Sequence, residues 1–236
     1  MKNHLHLLLL LSALTVASCG QTENENKRVL YILSHSGDEL IGPAALINNQ
    51  TNFKQESYLL YLTTDALTPS LRRINQIIGA EHLKSIPFAN SRLRDYPKAQ
   101  IADSIAAVIK KFGPDVIVTF PLDGVNGKSD HHITHLASKM AIERLDSTAK
   151  KPRRIAYLSY PASSGLPNIF ITPGKKIDAK ISFNPGALEA MDHVWKIYGD
   201  SLVEWNIFSP SPNKIHLSFY NERHEPNLTQ LLEKLP

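Results

Sequence analysis

The chain has 236 residues, 42% of them hydrophobic and 20% charged, with a formal net charge of +4. That balance suits one globular domain of ordinary size and excludes a strongly basic, nucleic-acid-binding protein. Cys19 is the single cysteine, so an intrachain disulfide framework is excluded as well.

Lys2 gives the chain a short positive start, Leu5 and Leu7 to Leu11 an apolar run, and Val16, Ala17 and Ser18 lead into Cys19. This is the pattern of a secretory signal over residues 1–18, and its apolar run is too short to span a membrane. Val-Ala-Ser-Cys is similar to the bacterial lipobox, which implies cleavage before Cys19, lipidation of that cysteine and a lipid anchor in the cell envelope. Gly20 follows instead of an aspartate, which favours the outer over the inner membrane. Residues 19–28 then read as the lipidated cysteine and a polar tether, and 29–236 as a single domain.

VLYILS (29–34) is a compact apolar run of the buried-strand type. The polar cluster His35 to Glu39 ends it, and a helical stretch follows from Leu40 to about Asn48. A second strand is expected at 57–63, closed by Thr64 and Asp65. Pro69 and Ser70 open a helix with Leu71, Ile74, Ile77, Ile78 and Leu83 at roughly helical spacing, and Arg72 and Arg73 beginning it. A short strand is expected near 86–89. Ile101, Ile105, Val108, Ile109 and Phe112 mark one face of a helix over 99–112, which Gly113-Pro114 breaks. VIVTF (116–120) is a third buried strand, and the basic stretch Lys150 to Arg154 is a solvated connection. Beyond it RIAYLSY, NIFIT and KIDAKIS are strand-like and 186–198 is helical. The last stretch, with Trp205, Phe208, Phe219 and Tyr220, is expected to cap the sheet.

Strands alternating with helices of about a dozen residues predict an α/β, Rossmann-like fold: a mainly parallel sheet with helices on both faces. Ligands of such sheets bind outside the carboxyl ends of the strands. His35 to Glu39 and Asp123 to His135 both fall there, which is the first physical reason to treat them as one site.

Imidazole and carboxylate ligands together suit zinc, three protein ligands leaving one position open. His35 and Asp38 can meet across a tight turn. Asp130, His131, His132 and His135 open a helix-like segment, and Asp130 suits a partner that orients an imidazole. Spacing alone leaves two ligand sets: His35 and Asp38 with a histidine of the second cluster, or His131 with His135 one helical turn apart.

LYILSHSGDELIGPAALI and FPLDGVNGKSDHHITHLA resemble, in order, the two signatures of the PIG-L/LmbE deacetylases, and YLLYLTTD resembles the family's second strand with its Thr-Asp ending. The resemblance runs over about residues 28–148. It implies His35, Asp38 and His131 as zinc ligands, Asp130 as the acidic residue before the third, and Glu39 as the motif glutamate supporting the metal. Asp65, Arg73 and His135 are candidate substrate contacts, His132 a helix-surface or substrate residue, and His193 an ordinary half-buried histidine.

Three positions depart from the family pattern. Gly37 stands where the aspartate expected as general base would be, Lys128 replaces a histidine thought to assist the tetrahedral intermediate, and Ser36 replaces proline. General acid–base assistance contributes about 10²–10⁴-fold to a rate, so the loss is heavy. The resemblance thus implies a zinc-dependent hydrolase removing an N-acyl group, acetyl first, from an amino sugar or glycoconjugate, with Glu39, Asp130 and Lys128 as the catalytic candidates. The alternative is a metal-retaining lipoprotein that binds a glycan or similar ligand without turnover.

Overall fold

A computed structural model describes residues 27–49, 55–63, 68–86, 88, 92–125, 128–159, 179–199 and 214–219. The expected signal, Cys19, and the tether up to residue 26 lie outside them. Among the described residues no helix is long and apolar enough to cross a membrane.

The centre of the fold is β1 (Lys27–Leu33). Val29, Tyr31 and Leu33 enter one apolar cluster, while Leu30 and Ile32 enter the other. Successive side chains on a strand point to opposite faces, so a strand covered on both sides must be apolar throughout, as VLYIL is. β1 pairs in parallel with β2 (Gln55–Tyr61) and β4 (Val116–Thr119). β3 (His82–Ser85) extends the sheet beyond β2, and β5 (Arg154–Ser159) beyond β4, again in parallel. β7 (Lys214–Phe219) then pairs antiparallel with β5 and with β6 (Ala179–Ser182), giving the order β3-β2-β1-β4-β5-β7-β6.

Helices α1 (Pro43–Asn48), α2 (Pro69–Ile78) and α5 (Pro185–Tyr198) cover one face. Helices α3 (Lys98–Phe112) and α4 (Ser129–Glu143) cover the other. Two of them, α2 and α5, begin at a side-chain cap. Thr68 Oγ1 accepts from the Leu71 N–H at 3.1 Å and Asn184 Oδ1 from the Ala187 N–H at 2.7 Å, so donors that a helix start leaves unpaired are satisfied. On α3 the predicted apolar positions Ile101, Ile105, Val108, Ile109 and Phe112 are all buried. Burying such side chains contributes about 1.5–3 kcal/mol each.

The expected α/β architecture is present, with several boundaries moved. α2 stops at Ile78 because Gly79, at φ 81, caps it with its N–H on Asn75 O. Leu83 therefore belongs to β3, upstream of the strand expected at 86–89. Lys27 and Arg28 belong to β1 and not to the tether: they pair with Gln55 and Glu56, and the Arg28 N–H donates to Asp115 at 3.1 Å. The helix expected from Leu40 is split by Gly42, at φ 135, into a 3-10 turn (Asp38–Ile41) and α1. Of KIDAKIS, Ala179–Ser182 form β6, while its first three residues and NIFIT lie outside the described residues. Phe219 is not in a cap but in β7, inside the sheet, while Trp205, Phe208 and Tyr220 lie outside the described residues.

Candidate metal centre

Strand order reverses between β1 and β4, the place where open parallel sheets leave a crevice at their carboxyl ends. Pairing with β2 continues past Leu33: the Leu62 N–H donates to Leu33 O at 3.0 Å and the Thr63 N–H to Ser34 O at 2.9 Å. The chain therefore leaves the sheet at His35. It turns tightly there, since Asp38 Oδ2 accepts the His35 N–H at 2.7 Å and Gly37, at φ 100, takes a conformation that side chains disfavour.

Helix α4 supplies the other half. Ser34 Oγ lies 2.8 Å from Thr134 Oγ1, which donates to Asp130 O at 2.8 Å, so a run of hydroxyls seats α4 against the end of β1. His131 is fully buried and stacks on Phe120 with ring centroids 4.0 Å apart. A carbonyl only accepts, so His131 Nδ1, 2.9 Å from Gly124 O, carries the proton. Gly124 sits at φ 69, and a Cβ there would lie 3.0 Å from His131 Cβ and from Lys128 O.

With Nδ1 committed, a neutral His131 turns the lone pair of Nε2 on Asp38 Oδ1, 3.1 Å away. His35 repeats the arrangement: its Nε2 is 3.0 Å from Asp130 Oδ2, and its Nδ1 is 3.7 Å from Asp38 Oδ2. One ligand atom from each of His35, Asp38 and His131 lies within 4.8 Å of the others. Three acceptors converging in a buried place need a cation or a proton between them, and two imidazoles with a carboxylate are a donor set that zinc accepts. The residues fit a metal.

The titration behaviour follows from the same crowding. Burial works to lower the pKa of His35, but hydrogen bonds to Asp130 and Asp38 and their charges raise it to about 9. Burial works to raise that of Asp38, yet His131 and His35 together hold its carboxyl well below the usual range.

Glu39 is fully buried in the 3-10 turn beside Asp38. Its Oε2 accepts the Gly37 N–H and the Tyr61 hydroxyl, each at 2.9 Å, and its Oε1 accepts the Tyr198 hydroxyl. Burial raises the pKa of Glu39, and raises those of Tyr61 and Tyr198 as well.

The remaining candidates are scattered. Lys128 is half-buried at the N-cap position of α4. His132 Nδ1 donates to Leu122 O. His135 lies neither at the surface nor among the clustered ligands. It is fully buried, its Nδ1 donates to Phe120 O at 2.9 Å, and its ring is 4.8 Å from Tyr157, which takes it away from the surface expected of a substrate contact and leaves it outside the His35-Asp38-His131 group. Arg73 is exposed on α2, and His193 is exposed on α5 instead of half-buried. Asp65 lies outside the described residues. Sequence reasoning missed Phe120, Gly124, Tyr61 and Tyr198. Tyr61 carries a period-two signal on β2, whereas nothing local marks Tyr198.

Fold and site together define an α/β domain with a His-Asp-His centre at the strand-order reversal. Residues 30–142 match the family model of PIG-L, described as GlcNAc-PI de-N-acetylase, so the resemblance read from the two motifs is found again over that segment. Among solved structures it is similar to the A40926 pseudoaglycone deacetylase, at a TM-score of 0.58 and 13% identity over 86% of this chain and 100% of that one. It is also similar to the N,N'-diacetylchitobiose deacetylase from Pyrococcus horikoshii, at 0.55 and 14% over 82% and 80%. The 4-carboxy-2-hydroxymuconate hydratase from Pseudomonas putida KT2440 gives 0.57 and 12% over 85% and 99%. Identities this low establish the fold only, and the hydratase shows that one fold carries more than one reaction. No curated protein matches the chain in sequence.

Proposed function

We propose that the chain is a zinc-dependent hydrolase that removes an N-acyl group, acetyl by preference, from an amino sugar or glycoconjugate. The observation that carries this is the convergence of His35 Nδ1, the Asp38 carboxylate and His131 Nε2 at the crevice end of the sheet. A bound zinc ion would act there as a Lewis acid towards an amide carbonyl and would activate water.

The chain's own groups divide the remaining work. Asp130 holds His35 with its Nδ1 towards the site, and Gly124 O does the same for His131 Nε2. Lys128, at the start of α4, supplies a cation against developing oxyanion charge. Glu39 has both carboxylate oxygens engaged, so in this reading it fixes the loop and moves no proton. Arg73 and Asp65 remain candidates for holding the substrate, since α2 starts at the carboxyl end of β2.

A second reading has its own observation. Gly37 offers no carboxylate and Glu39 is tied down, which favours a metal-retaining protein that binds a glycan without turnover. Acetate release from N-acetylglucosamine-type substrates by the zinc-loaded chain separates the two. No release above the metal-free control across a broad panel, with glycan binding retained, selects the second. The metal assignment is checked by His131→Ala, which should abolish stoichiometric zinc binding. We further propose a lipid anchor at Cys19, with the outer membrane favoured. Cys19→Ala should move the protein from the membrane pellet to the soluble fraction.

A further inference from the structure

We infer that Tyr198 is a positioning residue for the metal loop, acting through Glu39. The inference rests on the metal reading above and adds to it a residue beyond the family-matched segment, which ends at residue 142.

Glu39 follows Asp38 directly, and both lie in the same 3-10 turn. A Glu39 side chain held by its carboxylate therefore anchors the backbone next to Asp38. Three donors from three places hold it: the Gly37 N–H from the loop itself, the Tyr61 hydroxyl from the last residue of β2, and the Tyr198 hydroxyl from the last residue of α5. The first two belong to elements already joined to β1 by sheet pairing or chain continuity. Tyr198 brings in the third donor from α5, whose Ala187 and Val194 share an apolar cluster with Leu40 and Ile41 of the turn.

That helix is itself fixed. Asn184 caps its start, and Ala187, Ala190 and Val194 are buried, with Ala187 and Val194 in the apolar cluster shared with α1 and α2. Tyr198 is thus a strut between a well-seated helix and the turn beside a ligand. Its removal leaves Glu39 Oε1 buried without this donor, and a buried carboxylate that has lost a partner draws its surroundings into a new arrangement. The Glu39 side chain and the turn that carries it would have to adjust to that loss.

The competing account is that Tyr198 only adds packing. Tyr198→Phe keeps the ring and removes the oxygen, while Val194→Ala weakens the same helix and leaves the hydroxyl on Glu39 in place. Zinc titration should find Tyr198→Phe bound about tenfold more weakly, within the range that losing a ligand's outer hydrogen bond produces. The visible d–d bands of the cobalt-loaded variant should change in intensity. Val194→Ala should lower the thermal midpoint at least as much, with zinc affinity and cobalt spectrum unchanged. Equal weakening by both variants, or an unaltered affinity and spectrum in Tyr198→Phe, overturns the inference. Amide exchange over residues 35–40 of the metal-free protein gives a reading independent of metal. Faster exchange in Tyr198→Phe than in Val194→Ala supports the strut even if the unsubstituted chain binds no zinc, a result that would instead sink the metal reading. Equal exchange in the two variants overturns the strut.

Discussion

Asp130 Oδ2 lies 3.0 Å from His35 Nε2, although 95 residues separate the two and the histidine next to Asp130 in sequence is His131. The acidic residue beside one candidate ligand thus orients a different one, and the two signatures are bound together by that crossing. Asp130→Asn keeps the shape and removes the charge. Zinc affinity should fall about 10–100-fold, with the fold retained by circular dichroism. An unchanged zinc titration would contradict the role given to Asp130.

The metal-free protein should lose stability as the pH rises. His35 holds its proton more tightly when folded, with a pKa of about 9 against 6.5 for the free side chain. Its contribution is therefore complete below about pH 6.5 and disappears as the pH passes through about 9. The upper bound is about 3 kcal/mol. Zinc must displace that proton, so its affinity should climb over the same interval. Urea unfolding of the metal-free protein at several pH values tests this, and His35→Ala should flatten the slope. Asp38 acts in the opposite sense: its depressed pKa contributes stability at neutral pH that is lost on acidification below the usual carboxylate range.

Gly37→Asp places a side chain at φ 100, ψ −28, where the backbone favours glycine. The substitution should cost about 1–3 kcal/mol, seen as a lower thermal midpoint. If a general base is all that the site lacks, hydrolysis should nevertheless rise in the variant. Stability lost with no gain in acetate release would favour the binding protein.

Gly124→Ala should be more damaging to the site than to the fold. The new methyl would meet His131 Cβ and Lys128 O at 3.0 Å, and φ 69 adds strain. His131 cannot keep both its stacking on Phe120 and its bond to Gly124 O. Zinc stoichiometry well below one per chain, in a protein that still unfolds cooperatively, is the expected result.

The readable parts of the fold were those whose signal is local. Buried-strand runs such as VLYIL and the apolar face of α3 announce themselves, because burial on two faces or on one helical stripe leaves a periodic trace. β7 left none: its place between β5 and β6 is set by pairing across more than thirty residues of chain. At the site, the three clustered side chains and the orienting Asp130 could be named through paired motifs, but the other partners could not. Gly124 acts through its carbonyl and Phe120 through a stacked ring, and Tyr198 reaches Glu39 from 159 residues away. His135 misled for the same reason, since helical spacing does not say whether a histidine faces a crevice or the interior.

β1 also has a direction. It begins at Lys27, where the chain enters the sheet, and its seven residues carry the backbone about 23 Å to the metal loop. A lipid tether attached upstream would hold the domain by the opposite pole, with Lys150 and Arg153 around Asp115 at the near end. The crevice thus lies at the far end of β1 from the point where the chain enters the sheet.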